Sequence, residues 1–231
     1  VPDVDRAAAF YGTVLGWHAV PGSGSSARQI EGLPEQHIGM FGGQQHRTAY
    51  LAFAVEDIDE SINRIRDAGG QAEGPTDEPY GLSAMCTDDQ GMNFTVYQPP
   101  EGTSPVEREL AQTSGVTPHH GEISYLTIGV PDIARAHSFF GAVLGWDFTP
   151  GHTPGGWNVR LGGTEVRPMT GMYGGAESPV VVPAYEVDDI ESAVTRVREA
   201  GGTATEPEQR PYGITAECTD DQGTRFYLGQ H

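Results

Sequence analysis

Residues 79–98 read PYGLSAMCTDDQGMNFTVYQ, and residues 211–230 read PYGITAECTDDQGTRFYLGQ. Twelve of these twenty positions are identical at an offset of 132. A repeat of this length decides the reading, because it sets the number of building blocks before any element is assigned. Outward from it, AVEDIDESINRIRDAGG from Ala54 recurs as EVDDIESAVTRVREAGG from Glu186 at the same offset. VPDVDRAAAFYGTVLGW from Val1 recurs as VPDIARAHSFFGAVLGW from Val130, now at an offset of 129. A three-residue insertion therefore lies between Trp146 and Met172. The duplication predicts domain 1 over 1–98 and domain 2 over 121–231. Residues 99–120 between them have the Pro, Gly, Ser and Thr composition of a linker, with one short helical turn at Val106–Gln112.

Each copy carries two helix patterns set among strands. Asp3 and Asp132 are N-caps for helices with an apolar stripe, Phe10, Tyr11, Val14 and Leu15 in copy one, stopped by Gly16 and Gly145. Asp57 with Glu60 is a capping box for a second helix that buries Ile58, Ile62 and Ile65 and ends at Gly69-Gly70. Strands are expected at Tyr50–Val55, Leu82–Thr87 and Phe94–Gln98, with counterparts at Val182–Val187, Ile214–Thr219 and Phe226–Gln230. TDDQG at 87–91 and 219–223 reads as a hairpin turn closed by glycine. This order is α+β and not a Rossmann array. Copy two also has a strand at Ile123–Gly129 before its Val-Pro-Asp. Copy one begins at the equivalent Val-Pro-Asp, so its first strand is expected to be missing from this sequence.

Composition narrows the function classes. All 13 cations are arginine, so chemistry that needs a lysine amine, as in Schiff bases and the P-loop, is excluded. A net charge of −19 argues against nucleic acid or an anionic membrane as partner. No apolar run is long enough to span a bilayer. The chain opens on Val1 with no visible export signal, and two cysteines make no disulfide framework, so a cytoplasmic protein is expected.

Val-Pro-Asp, FYGxVLGW, the AVEDID helix and PYG…DDQG before a terminal strand resemble the glyoxalase/bleomycin-resistance/dioxygenase superfamily, the vicinal oxygen chelate proteins. The resemblance covers both copies. It implies four βαβββ modules paired into two tandem U-shaped open barrels, as a monomeric pseudodimer or a homodimer. Enzymes of the superfamily hold a divalent metal in the cleft with His, Gln or Glu; other members bind a drug without metal. Carried over position by position, the first-strand ligand positions are Tyr125, Tyr50 and Val182, and the last-strand positions are Thr95 and Tyr227. The remaining ligand strand reads IGMFGG (38–43) and TGMYGG (170–175). None offers imidazole or carboxylate, so no metal and no cofactor is expected.

Alternation puts Phe94, Val96, Phe226 and Leu228 against the helices. It leaves Thr95, Tyr97 and Tyr227 on the cleft face with Tyr125, Thr127, Gly129, Tyr50, Ala52 and Ala54. Such a face is a flat amphipathic pocket or the filler of a barrel without its metal. Tyr80 and Tyr212 of PYG rim the cleft or stabilise a turn. Trp157 and Arg160 fall where the copies do not match, and are candidates for ligand contacts. Of the histidines, His18, His37, His46 and His152 lie at no ligand position, His119 and His120 read as surface linker, His137 as solvated and His231 as a terminal or tag residue. Cys86 and Cys218 read as small buried hydrophobes, and GSGSSA (22–27) as a loop. The function expected is a metal-free protein that binds a small, partly aromatic molecule in a resistance or carrier role. The alternatives are a lyase, isomerase or dioxygenase with a displaced metal or tyrosine acid–base chemistry, and a silent structural module.

Overall fold

A computed structural model describes residues 1–22, 24–34, 36–45, 47–100 and 118–231. The turn expected at Val106–Gln112, most of the 99–120 linker, His46 and one residue of GSGSSA lie outside the described residues.

Copy one runs α1 (Val4–Leu15), β1 (His18–Pro21), β2 (Ala27–Glu31), β3 (Gly39–Phe41), β4 (Leu51–Ala54), α2 (Ile58–Asp67), β5 (Gln71–Ala72), β6 (Thr76–Glu78), β7 (Gly81–Thr87) and β8 (Asn93–Gln98). Copy two begins with β9 (Ile123–Val130) and repeats the plan: α3 (Ile133–Leu144), β10 (Trp146–Pro150), β11 (Gly156–Leu161), β12 (Thr164–Glu165) and β13 (Met169–Gly174). It continues through β14 (Val180–Glu186), α4 (Ile190–Glu199), β15 (Thr203–Ala204), β16 (Glu208–Arg210), β17 (Gly213–Thr219) and β18 (Arg225–Gln230).

The helix ends follow the residues that predict them. Asp3 accepts from the amides of Asp5 and Arg6, Asp57 accepts from that of Glu60, and α1 stops at Gly16 with φ +70°. The glutamine that closes each last strand adds a cap not read from the sequence. Gln98 Oε1 accepts from Ile58 N at 2.9 Å, and Gln230 Oε1 from Ile190 N at 3.0 Å.

Strands pair within a copy. The order is β1-β2-β3 and β4-β8-β7-β5 in copy one, with β10-β11-β13-β9 and β14-β18-β17-β15 as neighbours in copy two. In both copies the helix-linked pair is parallel (β4 with β8, β14 with β18), and the hairpin strand joins antiparallel. Registers of β1 on β2 and of β10 on β11 coincide at the offset of 129, since His18 faces Glu31 and Asp147 faces Arg160. The insertion therefore lies beyond Arg160, in the turn to β12 and its sequel, and not beside Trp157.

Helices pack across the copies: α1 against α4, and α2 against α3. The described residues accordingly form two compact units that differ from the division at the linker. Unit 1 comprises Val1–Thr48, Val116–Leu126 and Val182–His231; unit 2 comprises Ala49–Gly115 and Thr127–Val181. In unit 1, Phe10 and Tyr11 meet Phe226 edge-on at 6.1 and 5.7 Å, and Trp17 Nε1 donates to Gly121 O at 2.9 Å. In unit 2, Phe139 and Phe140 each lie 6.2 Å from Phe94. A glycine makes the same room in each. A Cβ at Gly202 would stand 2.4 Å from Thr219 O and 3.0 Å from the Phe10 ring; at Gly70 it would stand 2.6 Å from Thr87 O and 2.8 Å from Phe139.

The TDDQG turn does more than reverse the chain. Gln222 takes the amide of Asp3 at 2.7 Å and returns a bond to its carbonyl at 2.8 Å, while Asp221 pairs with Arg6 at 2.7 Å. Gln90 clasps Asp132 at 2.7 and 3.0 Å, and Asp89 pairs with Arg135 at 2.9 Å. One copy's hairpin thus holds the first helix of the other, which explains why both motifs survive in both copies.

Candidate functional site

In unit 2 the register of β4, β8 and β7 sorts side chains cleanly. Phe53, Phe94, Val96, Ala84 and Cys86 turn to the helices, and Ala52, Ala54, Thr95, Tyr97 and Met85 turn to the open face. Tyr50 precedes β4 on that same face. Thr95 Oγ1 donates to Tyr50 Oη at 3.2 Å, and Tyr50 Oη donates to the Met85 sulfur at 3.3 Å. Tyr80, in the PYG turn, meets Tyr97 edge-on at 6.3 Å. Tyr50, Tyr80 and Met85 remain 43, 52 and 51% exposed. Burial raises the Tyr50 phenol, so it stays a neutral donor. Four expected site residues are thereby joined by one that sequence reading missed, Met85. Its signal was available, since it stands directly opposite Thr95.

In unit 1 the equivalent face is carried by β14, β18 and β17. Tyr227 is half-buried, with Ala184 beside it on β14 and Glu217 on β17. It helps to line a hollow of about 300 Å³ with Thr205, Glu217, Thr219 and Arg225. Tyr125 is half-buried on β9, between the buried Ser124 and Leu126. Tyr212 is 60% exposed in its turn.

Trp157 and Arg160 belong to unit 2 and leave β11 on opposite faces. Trp157 packs its ring against His137 of α3 at 4.7 Å, so it turns to the helix. His137 is not solvated as expected. It stacks on Phe148 at 3.8 Å, and burial lowers its pKa. Arg160 turns to the other face, opposite Asp147, with Glu165 at 3.8 Å. Gly129 is required on that face, because a Cβ would stand 2.7 Å from the Tyr173 hydroxyl.

Three His–carboxylate pairs lie in unit 1. His119 is exposed, as a surface linker predicts, yet lies 3.2 Å from the buried Glu122, and His120 lies 3.4 Å from Asp188. His231 Nδ1 lies 2.6 Å from Glu186. The two cysteines are buried and free, as expected, and burial pushes the Cys218 thiol up to about 12. A catalytic divalent metal of this fold needs at least three convergent hard donors. Among the described residues no three His, Cys, Asp or Glu converge. Tyr125, Val182 and Tyr227 at the carried-over positions supply none, so these residues do not fit a metal.

Residues 1–97 match the glyoxalase-like domain family. The anthracycline biosynthesis proteins DauV of Streptomyces sp. (strain C5) and DnrV of Streptomyces peucetius are each 28% identical, covering 97% of this chain and 88% of the relative. Among solved structures, catechol 2,3-dioxygenase superposes with a TM-score of 0.69 at 16% identity, over 100% of this chain and 85% of that one. The 2,3-dioxygenase LapB from Pseudomonas sp. KL28 gives a TM-score of 0.71 at 15% identity, over 100% and 89%. At that identity these structures establish the fold alone. The glyoxalase-like match over residues 1–97, the repeated strand–helix plan and these neighbours agree: the chain carries a glyoxalase-like domain and has the fold of the glyoxalase/bleomycin-resistance/dioxygenase, or vicinal oxygen chelate, proteins.

Proposed function

We propose that this protein binds a small, partly aromatic molecule on the open face of its sheets without using a metal. The observation that carries the reading is the half-exposed Tyr50 and Met85 with the half-buried Tyr97, set around the buried Thr95, and Tyr227 at the place of Thr95 in the other copy. Aromatic rings and a thioether offer broad contact at low cost in lost rotamer freedom, and their hydrogen bonds are already made to one another. Two relatives of nearly full length are named for anthracycline biosynthesis, and an anthracycline is a planar fused-ring aromatic with phenolic groups. That agreement supports a polycyclic aromatic as ligand class, in a binding or carrier role. A small-molecule partner fits the acidic chain better than nucleic acid does.

The test has two measurements on the intact protein. Elemental analysis after purification is expected to find no stoichiometric zinc, nickel, iron or manganese. Titration with a soluble anthraquinone sulfonate, followed by tryptophan quenching, is expected to saturate. A tightly held metal lost on mutation of open-face residues, or no saturation with any fused-ring aromatic, sinks the proposal. A second reading, acid–base chemistry on the bound molecule, is favoured by the Glu186–His231 pair.

A further inference from the structure

The last strand of copy two is arranged around an imidazole that plain binding does not use. Glu186 closes β14 on the open face, the face of Tyr227 and Gly229, with its side chain only 7% exposed. Its carboxylate accepts the backbone amide of His231 at 3.0 Å and meets Nδ1 at 2.6 Å. A glycine makes room for the ring, since a Cβ at Gly229 would stand 2.9 Å from His231 Cε1. At the offset of 132, copy one has Ala54 for Glu186, Tyr97 for Gly229 and Pro99 for His231. Three positions differ together. Copy one carries a phenol on the strand itself, whereas copy two removes that side chain and folds an imidazole over the bare backbone, tied to a carboxylate.

A carboxylate on Nδ1 fixes the tautomer that carries its proton there and leaves the Nε2 lone pair as base; it then steadies the imidazolium that forms. Among the described residues Nε2 has no hydrogen-bond partner, and the side chain is 29% exposed, within reach of a ligand. The hydrogen bond that His231 donates to Glu186 also raises the pKa of the imidazole. Of the other titratable groups nearby, Glu122 and Asp188 each face a histidine of their own, and Tyr227 and Glu217 stand further along the same face.

The geometry points to Glu186 and His231 as a proton-accepting dyad for the phenolic hydroxyl of an aromatic ligand on this face. The inference rests on the binding reading above and adds the chemical class, a phenol. The O–H bond breaks with its electron pair left on oxygen, and the proton passes to Nε2. The imidazolium then stands between phenolate and carboxylate, and no other reactant is needed.

Two probes separate the dyad from the binding itself: 4-nitrophenol, whose phenolate absorbs visible light, and nitrobenzene, which has no proton to give. Below the free phenol's pKa, the intact protein is expected to raise the bound phenolate-to-phenol ratio about tenfold, one pKa unit. Glu186→Gln and His231→Gln are expected to lose that band and still bind nitrobenzene. A measurement without variants guards against misfolding, since the His231 ring protons must shift to their protonated position when 4-nitrophenol binds. Nitrophenol bound as neutral phenol, a band that survives both substitutions, or a His231 that stays neutral in the complex overturns the dyad. Binding of neither probe overturns the binding reading and the dyad with it.

Discussion

At matched positions copy one carries Tyr50, Met85, Thr95 and Tyr97 where copy two carries Val182, Glu217, Tyr227 and Gly229. One strand face over, Ala84, Cys86 and Phe94 match Ala216, Cys218 and Phe226 without a change. The backbone pairing is the same in both, with residue opposite residue. The unchanged set touches helices, and interiors packed to crystal density leave little freedom there. The changed set lies on the face turned away from the helices, where chemistry can diverge without loss of fold. Under the binding reading proposed above, this difference puts function on the open faces and not in the shared scaffold.

If the two cores are equivalent, Phe94→Ala and Phe226→Ala should each cost about 3–5 kcal/mol, measured by urea denaturation, since both rings are fully buried. A large gap between the two would break the comparison at its base. Gly70→Ala and Gly202→Ala should each cost about 1–3 kcal/mol by overpacking, because backbone oxygens at 2.6 and 2.4 Å cannot step aside as a side chain can. On the open faces the expectation is asymmetry. Tyr227→Ala should weaken binding of the anthraquinone probe about tenfold by loss of ring contact, and Thr95→Ala should change it little. Equal losses would mean that the two faces share the ligand; no loss at Tyr227 would place it elsewhere.

The smallest effect is in pH. His231 has a folded pKa raised above 6.5 by its bond to Glu186. Its contribution to stability is therefore full below 6.5 and fades as pH rises through the raised folded value. Copy one has no counterpart, so His231→Gln should flatten that part of the stability profile and leave the rest unmoved. Melting temperatures across this window would show it, and an unaltered profile would remove the pair from the ledger of differences.

Much of the fold was legible because duplication and caps are written locally. Asp3, Asp57, Gly16 and the TDDQG turn each act on their own neighbours in sequence. The make-up of the units was not legible. Apolar spacing shows that Phe10 and Phe139 are buried, but two near-identical helices can bury on either copy, and only the coordinates show the exchange. For the site, alternation placed Tyr50, Thr95, Tyr97 and Tyr227 on the open face because β4, β8 and β18 each have one well-buried partner surface. Trp157 was a candidate only because it falls where the copies do not match, and β11, half-buried on both faces along most of its length, offers no alternation to orient it. His231 was passed over because it lies past the last strand and has no counterpart in copy one. The signal for it stood two residues earlier, in a glycine where the other copy has Tyr97.

Exchange of helices between the copies also fixes an order of events during synthesis. Unit 2 is complete in sequence once Val181 has been made, whereas unit 1 joins residues 1–48 to residues 182–231. Helix α1 therefore leaves the ribosome before α2 and α3 and finds its partner after they have found theirs. Contacts so far apart along the chain close slowly, and exposed apolar surface in the interval invites association with other chains. Phe10, Tyr11 and Trp17 must wait in water until Tyr185 and Phe226 arrive. Folding during translation can thus complete unit 2 first and finish only when residues 182–231 reach residues 1–48.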